Sequence, residues 1–336
     1  MDRDYSASTP LTPRVIFIIG QTASGKSRLA VQLAKCLGSS VICADAFQVY
    51  RGFSVATDKV DEGDTHGVPH YGLDLLEAAG EFTVKDFIEY SVPLIEDELR
   101  KGRSPIVVGG THMYMEKLLF TSRIDNDDSP TLGTEERQSH AWDSHEDLAK
   151  IDPVMARRLH PNDKRRISRA LEFYHCTGSL MSDKLRNQER SLRFPGALVL
   201  CKVAADQQEL ECKVRHRIEA KMLAENKLRA ELYRIRDLLD SGTLAWNKGL
   251  LQAIGYREFE AFITALRTAG CEDETLFTQA VEDLVRNTVR YAKKQATWIR
   301  KIEKYMMIHY FENFDFPEIR SLLLSNESQL KSLPTW

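Results

Sequence analysis

Residues 20–27, GQTASGKS, constrain this chain more than any other stretch. They fit G-x-x-x-x-G-K-[ST] without a mismatch. An apolar run, VIFII, precedes them, and a helical run, SRLAVQLAKCLG, follows and closes at Gly38. A buried strand, a glycine-rich turn and a helix are the setting in which this pattern cradles phosphate. Gly20 and Gly25 allow the tight turn. The backbone N–H groups of Thr22, Ala23, Ser24, Gly25 and Lys26 then encircle an anion at a helix N-terminus, where the helix dipole also favours negative charge. Lys26 reaches the outer phosphate, and the Ser27 hydroxyl is the expected ligand of Mg²⁺.

The pattern continues. SVICAD reads as a second strand ending at Asp45, and EFTVKDFIEYSVPLIEDELRKGR has helical period with a kink expected at Pro93. SPIVVGGTHMYMEKLLF reads as strand, Gly-Gly turn and helix. Strands alternating with helices imply a parallel sheet covered on both faces. The expected fold is therefore α/β, a nucleotide-kinase-like P-loop sheet flanked by helices, with a helical insertion. Residues 1–120 read as the first part of the core. Residues 121–190 read as the insertion, opening on a polar, aperiodic connection up to Asp147. Residues 191–336 complete the core and end in basic helices. Asp163 is the expected N-cap, and Gly178 the stop, of a helix carrying Ile167, Ala170, Leu171 and Tyr174 on one face.

Composition excludes several classes. Net charge is -3, so any nucleic-acid site must come from local clusters. No apolar run approaches the ~20 residues of a membrane span. The six cysteines form no C-x-x-C pair, which argues against a zinc or redox motif and for a reducing compartment. The first residues lack an apolar signal core and include acids, so the expected location is the cytoplasm, with a mitochondrial pool compatible.

A cradle does not name a reaction. An ATPase usually places an acid at the end of a second core strand to help hold Mg²⁺. IVVGGTH ends in glycines and Thr111, whereas SVICAD ends in Asp45. A carboxylate at a strand's C-terminal end lies at the mouth of the sheet, beside the phosphate site. There Asp45 can bind metal, act as a general base or merely cap a helix. Gln48 and Tyr50 can read or stack on a base.

In order, GQTASGKS, DAFQVY, VPHYGLD, IVVGGTHMY, HPNDKRRISRALE, QAIGYREF and AKKQATWIRK resemble the tRNA dimethylallyltransferases over roughly residues 14–305. The resemblance implies that the cradle holds dimethylallyl diphosphate. The dimethylallyl group would pass to N6 of the adenosine beside the anticodon (position 37) of tRNAs reading codons that begin with U, giving N6-isopentenyladenosine and diphosphate. It implies Asp45 as general base, with Thr111 and Lys26 at the reacting centre. Arg217, in VRHRIEAKML, corresponds to a diphosphate-binding arginine, although the spacing to the next Met is one residue off. The family sets Asp45, Ala46, Phe47 and Gln48 against the target nucleotide, with a Ser where this chain has Ala46. Its tRNA-contacting segments correspond to Lys164, Arg165, Arg166, Ile167, Ser168 and Arg169, then Gln252, Gly255, Tyr256 and Arg257, then Lys294, Gln295, Trp298 and Arg300. The implied partners are tRNA and dimethylallyl diphosphate, with Mg²⁺ as cofactor and a monomer as the expected state. Two readings compete: an adenylate isopentenyltransferase acting on free AMP, ADP or ATP, and a P-loop small-molecule kinase. His70 and His112, without an acid or Cys at metal spacing, read as local hydrogen bonders.

Overall fold

Ile16–Gly20 (β1) is buried at every position, as a strand covered on both faces must be. The computed structural model, which describes residues 11–122, 144–186, 190–202, 207–246 and 248–325, sets β1 inside a six-stranded parallel sheet. The chain then runs through α1 (Lys26–Leu37), β2 (Val41–Cys43), β3 (His70–Tyr71), α2 (Val84–Arg100), β4 (Ile106–Val108) and α3 (His112–Leu119). After an inserted segment it resumes with β7 (Leu198–Lys202), α8 (Gln207–Arg217), α9 (Lys227–Asp240), α10 (Glu260–Ala269), α11 (Glu274–Ile302), β8 (His309–Phe311) and α12 (Phe316–Leu324). The sheet order is β3-β2-β4-β1-β7-β8.

One apolar cluster packs Leu29 and Leu33 of α1 and Ile319 of α12 against Ile16, Ile18 and Leu200. A larger one packs Val49, Tyr50 and Phe53 against α9, α10 and α11. In α11, Leu284, Val285, Thr288, Ala292, Ile299 and Ile302 form a buried stripe at helical spacing, with Val281 partly buried beside it. Helix α2 continues through Pro93, and Thr83 closes its N-terminus in a reciprocal capping box with Asp86. The strands β3 and β8 have only two and three residues, too few for a period to reveal.

Residues 120–193 form a separate compact unit. It contains a two-stranded antiparallel ribbon of β5 (Phe120–Ser122) and β6 (Arg190–Leu192). Its helices are α4 (His145–Ile151), α5 (Pro153–Arg158), α6 (Lys164–Thr177) and α7 (Met181–Arg186). Ser144 caps α4, so helix begins inside the stretch read as aperiodic, while residues 123–143 of that reading lie outside the described residues. Asp163 and Gly178 bound α6 as expected. Leu148, Ile167, Ala170 and Leu171 make this unit's small core.

Candidate active site

The cradle follows β1. Gly20 has φ 148°, and a Cβ there would lie 2.6 Å from the Lys202 carbonyl oxygen, so β7 leaves no room for a side chain. Ala23 (φ 60°) and Gly25 (φ 87°) take left-handed backbone, which turns successive amides toward a common centre. The first turn of α1 carries no acid to compete for the dipole. The Ser24 hydroxyl is buried without a partner among the described residues. Lys26 is 9% exposed and donates to the Gln21 carbonyl oxygen at 2.6 Å. Burial first, then the Arg217 charge, push its pKa down to about 8, against the opposing pull of Asp45 and Asp58.

Asp45 lies two residues beyond β2. The next turn comes so close that a Cβ on Gly109 would fall 2.1 Å from the Ala44 carbonyl oxygen. That approach sets Gly110 and Thr111 beside the Asp45 carboxylate. The Phe47 amide donates to Asp45 Oδ1 at 3.0 Å. Burial raises the Asp45 pKa from its ordinary value, with the Phe47 amide and the Lys26 charge restraining the rise. The Thr111 hydroxyl accepts from the Ala46 amide at 2.9 Å, so it braces the loop that bears Asp45.

Arg217 arrives from the far side of the sequence. It is the last residue of α8, where a π turn begins (Ile218–Leu223). Such single π turns are rare and frequently occur at functional sites. Its Nη1 donates to Thr22 Oγ1 at 3.0 Å and to Asp58 Oδ2 at 2.7 Å. Thr22, Ala23, Gly25, Lys26, Ser27, Asp45, Phe47, Gln48, Thr111 and Arg217 all line one cavity of about 1150 Å³. Met222, Ile254 and Leu284 add apolar wall.

The residues expected to meet tRNA divide. Lys164, Arg165, Arg166, Arg169, Gln252, Arg257, Lys294 and Arg300 are exposed or partly exposed, as is Ser168. Ile167 and Tyr256 are fully buried, Gly255 is buried, and Gln295 is 1% exposed. In this structure Ile167 and Tyr256 are core side chains, and Gln295 faces inward. Gln295 Oε1 accepts from the Thr22 amide at 2.6 Å, while its Nε2 donates to the Gly110 carbonyl at 3.1 Å. One amide therefore ties the cradle to the turn beside Asp45. Tyr291 Oη donates to the same carbonyl at 2.6 Å. Trp298 is half-buried, donates to Glu116 at 2.9 Å and stacks on His112, ring centroids 4.2 Å apart. His70 Nδ1 bonds the Val68 carbonyl oxygen at 2.8 Å. His112 keeps a hydrogen bond with the Gly20 backbone, in line with the hydrogen-bonding reading, while its Nε2 is buried with no partner among the described residues. Burial and the Lys26 charge hold it neutral, with a pKa down to about 3.

A P-loop core whose cradle shares a cavity with a strand-end carboxylate, an arginine and apolar wall defines a group-transfer enzyme acting on a phosphorylated donor. The chain belongs to the IPP transferase family, whose profile matches residues 48–302. An Isopentenyl transferase profile also matches residues 13–70. The chain is 33% identical over 308 residues to a tRNA dimethylallyltransferase of Anoxybacillus flavithermus, covering 90% of this chain and 91% of that one. It is 34% identical to the Geobacillus thermodenitrificans enzyme of the same name, over 91% and 92% of the two chains. Among solved structures it is similar to a eukaryotic dimethylallyltransferase acting on tRNA (TM-score 0.70, 30% identity, 85% of this chain and 70% of that one). It is also similar to a tRNA isopentenylpyrophosphate transferase of Bacillus halodurans (TM-score 0.61, 28% identity, 92% and 96%).

Proposed function

We propose that this protein transfers a dimethylallyl group from dimethylallyl diphosphate to N6 of an adenosine beside a tRNA anticodon, releasing diphosphate. The observation that carries the reading is the shared cavity: the Asp45 carboxylate and the Lys26–Ser27–Arg217 cradle open into one space. The N6 lone pair is delocalised into the ring, so the amine attacks poorly. Asp45, its basicity raised by burial, accepts the N6 proton as the N–C bond forms, a contribution of about 10²–10⁴ in rate. The carbon–oxygen bond to the diphosphate breaks in the same event. Growing charge on the departing group is met by the cradle amides, Lys26 and Arg217. Phe47, Met222 and Leu284 give the prenyl chain apolar surroundings and keep water from it.

Mg²⁺ fits the residues present. Ser27 lines the cavity at the start of α1, and Mg²⁺ commonly takes one or two protein oxygens with phosphates and waters completing its shell. When bound it would neutralise part of the diphosphate charge. No cluster of three acidic, His or Cys side chains suited to a metal occurs among the described residues, in keeping with a metal held mainly by its substrate.

In the same reading, α6 meets the phosphates of the anticodon arm. Lys164, Arg165 and Arg166 crowd its first turn, where the helix dipole disfavours cations. Phosphates bound there would relieve that repulsion. Exposed Lys294 and Arg300 on α11 extend the basic surface. Among the described residues no helix is long and apolar enough to cross a membrane.

The test supplies labelled dimethylallyl diphosphate with either tRNA or AMP, for the wild type and Asp45→Asn. Label is expected in a tRNA adenosine, with turnover down about 10²–10⁴-fold in the variant and tRNA affinity kept. Label in AMP alone, or phosphoryl transfer from ATP, would defeat the reading.

A further inference from the structure

The loop after the Asp45 strand is locked from several sides. Glu231 of α9, itself 8% exposed, accepts the amides of Ser54, Val55 and Ala56 and the hydroxyl of Tyr256. Buried Lys59 donates to the Tyr50 carbonyl oxygen and to Asp74. Between these anchors Asp58 is held at φ 50°, a left-handed conformation that a residue with a Cβ adopts at a cost. Strained backbone persists where its surroundings over-determine it, and it gathers at functional sites.

Asp58 bonds in two directions. Its carboxylate takes Arg217 at 2.7 Å and Lys221 at 3.8 Å. Its backbone carbonyl, with that of Thr57, accepts from Gln48 Nε2 at 3.1 and 3.2 Å. Arg217 spends Nη1 on Asp58 and Thr22, while its Nε is buried with no partner among the described residues. One nitrogen of the guanidinium is thus anchored and another donor is left for an anion.

We infer that Asp58 is a positioning residue: its carboxylate aims Arg217 at the diphosphate in the cradle, while its carbonyl holds Gln48 at the nucleotide side. Asp58 touches neither reacting partner. It acts through Arg217, and the charge-assisted bond fixes a long side chain that would otherwise sample many rotamers. The inference deepens the prenyl-transfer reading and rests on it only for the kinetic arm of its test.

The test compares the wild type with Asp58→Asn, Asp58→Gly, Arg217→Gln and the Asn/Gln double variant. Inorganic diphosphate binding is measured by calorimetry, and turnover with dimethylallyl diphosphate and tRNA. Asp58→Asn should weaken diphosphate binding, and raise the dimethylallyl diphosphate KM, by about tenfold. The tRNA KM should stay within about twofold, because the Asp58 carbonyl that holds Gln48 remains. Asp58→Gly, which relieves the left-handed strain, should lose diphosphate affinity to the same degree. The double variant should bind no more weakly than Arg217→Gln, since the two residues act as a unit. Unchanged diphosphate affinity in Asp58→Asn, or losses that multiply in the double variant, would overturn the role whether or not the wild type transfers a prenyl group. A wild type that binds diphosphate but never prenylates tRNA would defeat the proposed function and leave the binding arm to judge Asp58.

Discussion

Two helices carry the basic clusters, and they use charge differently. Helix α6 turns Ile167, Ala170 and Leu171 into its unit's small core and leaves Lys164, Arg165, Arg166 and Arg169 exposed. Helix α11 exposes Lys294 and Arg300 but turns Gln295 inward onto the cradle amide of Thr22 and the Gly110 carbonyl. The first arrangement leaves a run of exposed cations, which the proposed function gives to tRNA phosphates. The second ties a helix with a basic surface to the cradle and to the turn beside Asp45, chiefly through the buried Gln295 amide, with Tyr291 on the same Gly110 carbonyl. Equal charge therefore does not mean equal role.

The largest effect should fall on α6. Replacing Lys164, Arg165, Arg166 and Arg169 together by Ala should weaken tRNA binding roughly hundredfold at low salt. The slope of log affinity against log salt should shrink by up to about 0.9 for each phosphate that is no longer neutralised. Turnover at saturating tRNA should hold, because none of these residues lines the cavity of the cradle. A fall in that saturated rate would erase the contrast between the helices.

Gln295→Leu should give a smaller change of the opposite kind. Freed from its tie, the cradle loses registry with Asp45, and the dimethylallyl diphosphate KM should rise about tenfold, with the salt slope for tRNA unmoved. A changed salt slope without a changed diphosphate KM would make Gln295 a surface residue after all.

The smallest effect comes from Lys26. Its folded pKa of about 8 lies below its unfolded value of 10.5, so burial disfavours the charged form. Below pH 8 the anion-free protein bears that cost in full, and its stability should rise as pH climbs from 8 toward 10.5. Bound diphosphate restores the charge, so binding above pH 8 should take up a proton. Raising pH from about 7.5 to about 8.5 should weaken diphosphate binding about threefold. Calorimetry in buffers of different ionisation enthalpy reads the proton directly. Absence of proton uptake would place the Lys26 pKa well above 8.

Much of the core could be read along the chain. The cradle, the Asp45 strand end and the Gly-Gly turn before Thr111 each announce themselves within a few residues, through fixed spacing. Asp163 and Gly178 did the same for α6. Other features left no such trace. Tyr256 and Gln295 sit in segments that the family resemblance assigned to RNA, yet both side chains are buried. No period distinguishes a polar side chain facing solvent from one that satisfies a buried amide.

What the sequence determined by itself was local: where phosphate can be gripped, which segments are strand or helix, and that a carboxylate stands at the mouth of the sheet. The tertiary structure decided who meets whom. Arg217 reaches Thr22 across 195 positions, and Gln295 reaches it across 273. Such pairs arise only when the second half of the chain packs back over the first. Their partners are chosen by burial and by the need to satisfy buried polar groups, and neither requirement is written into the spacing of residues along the chain.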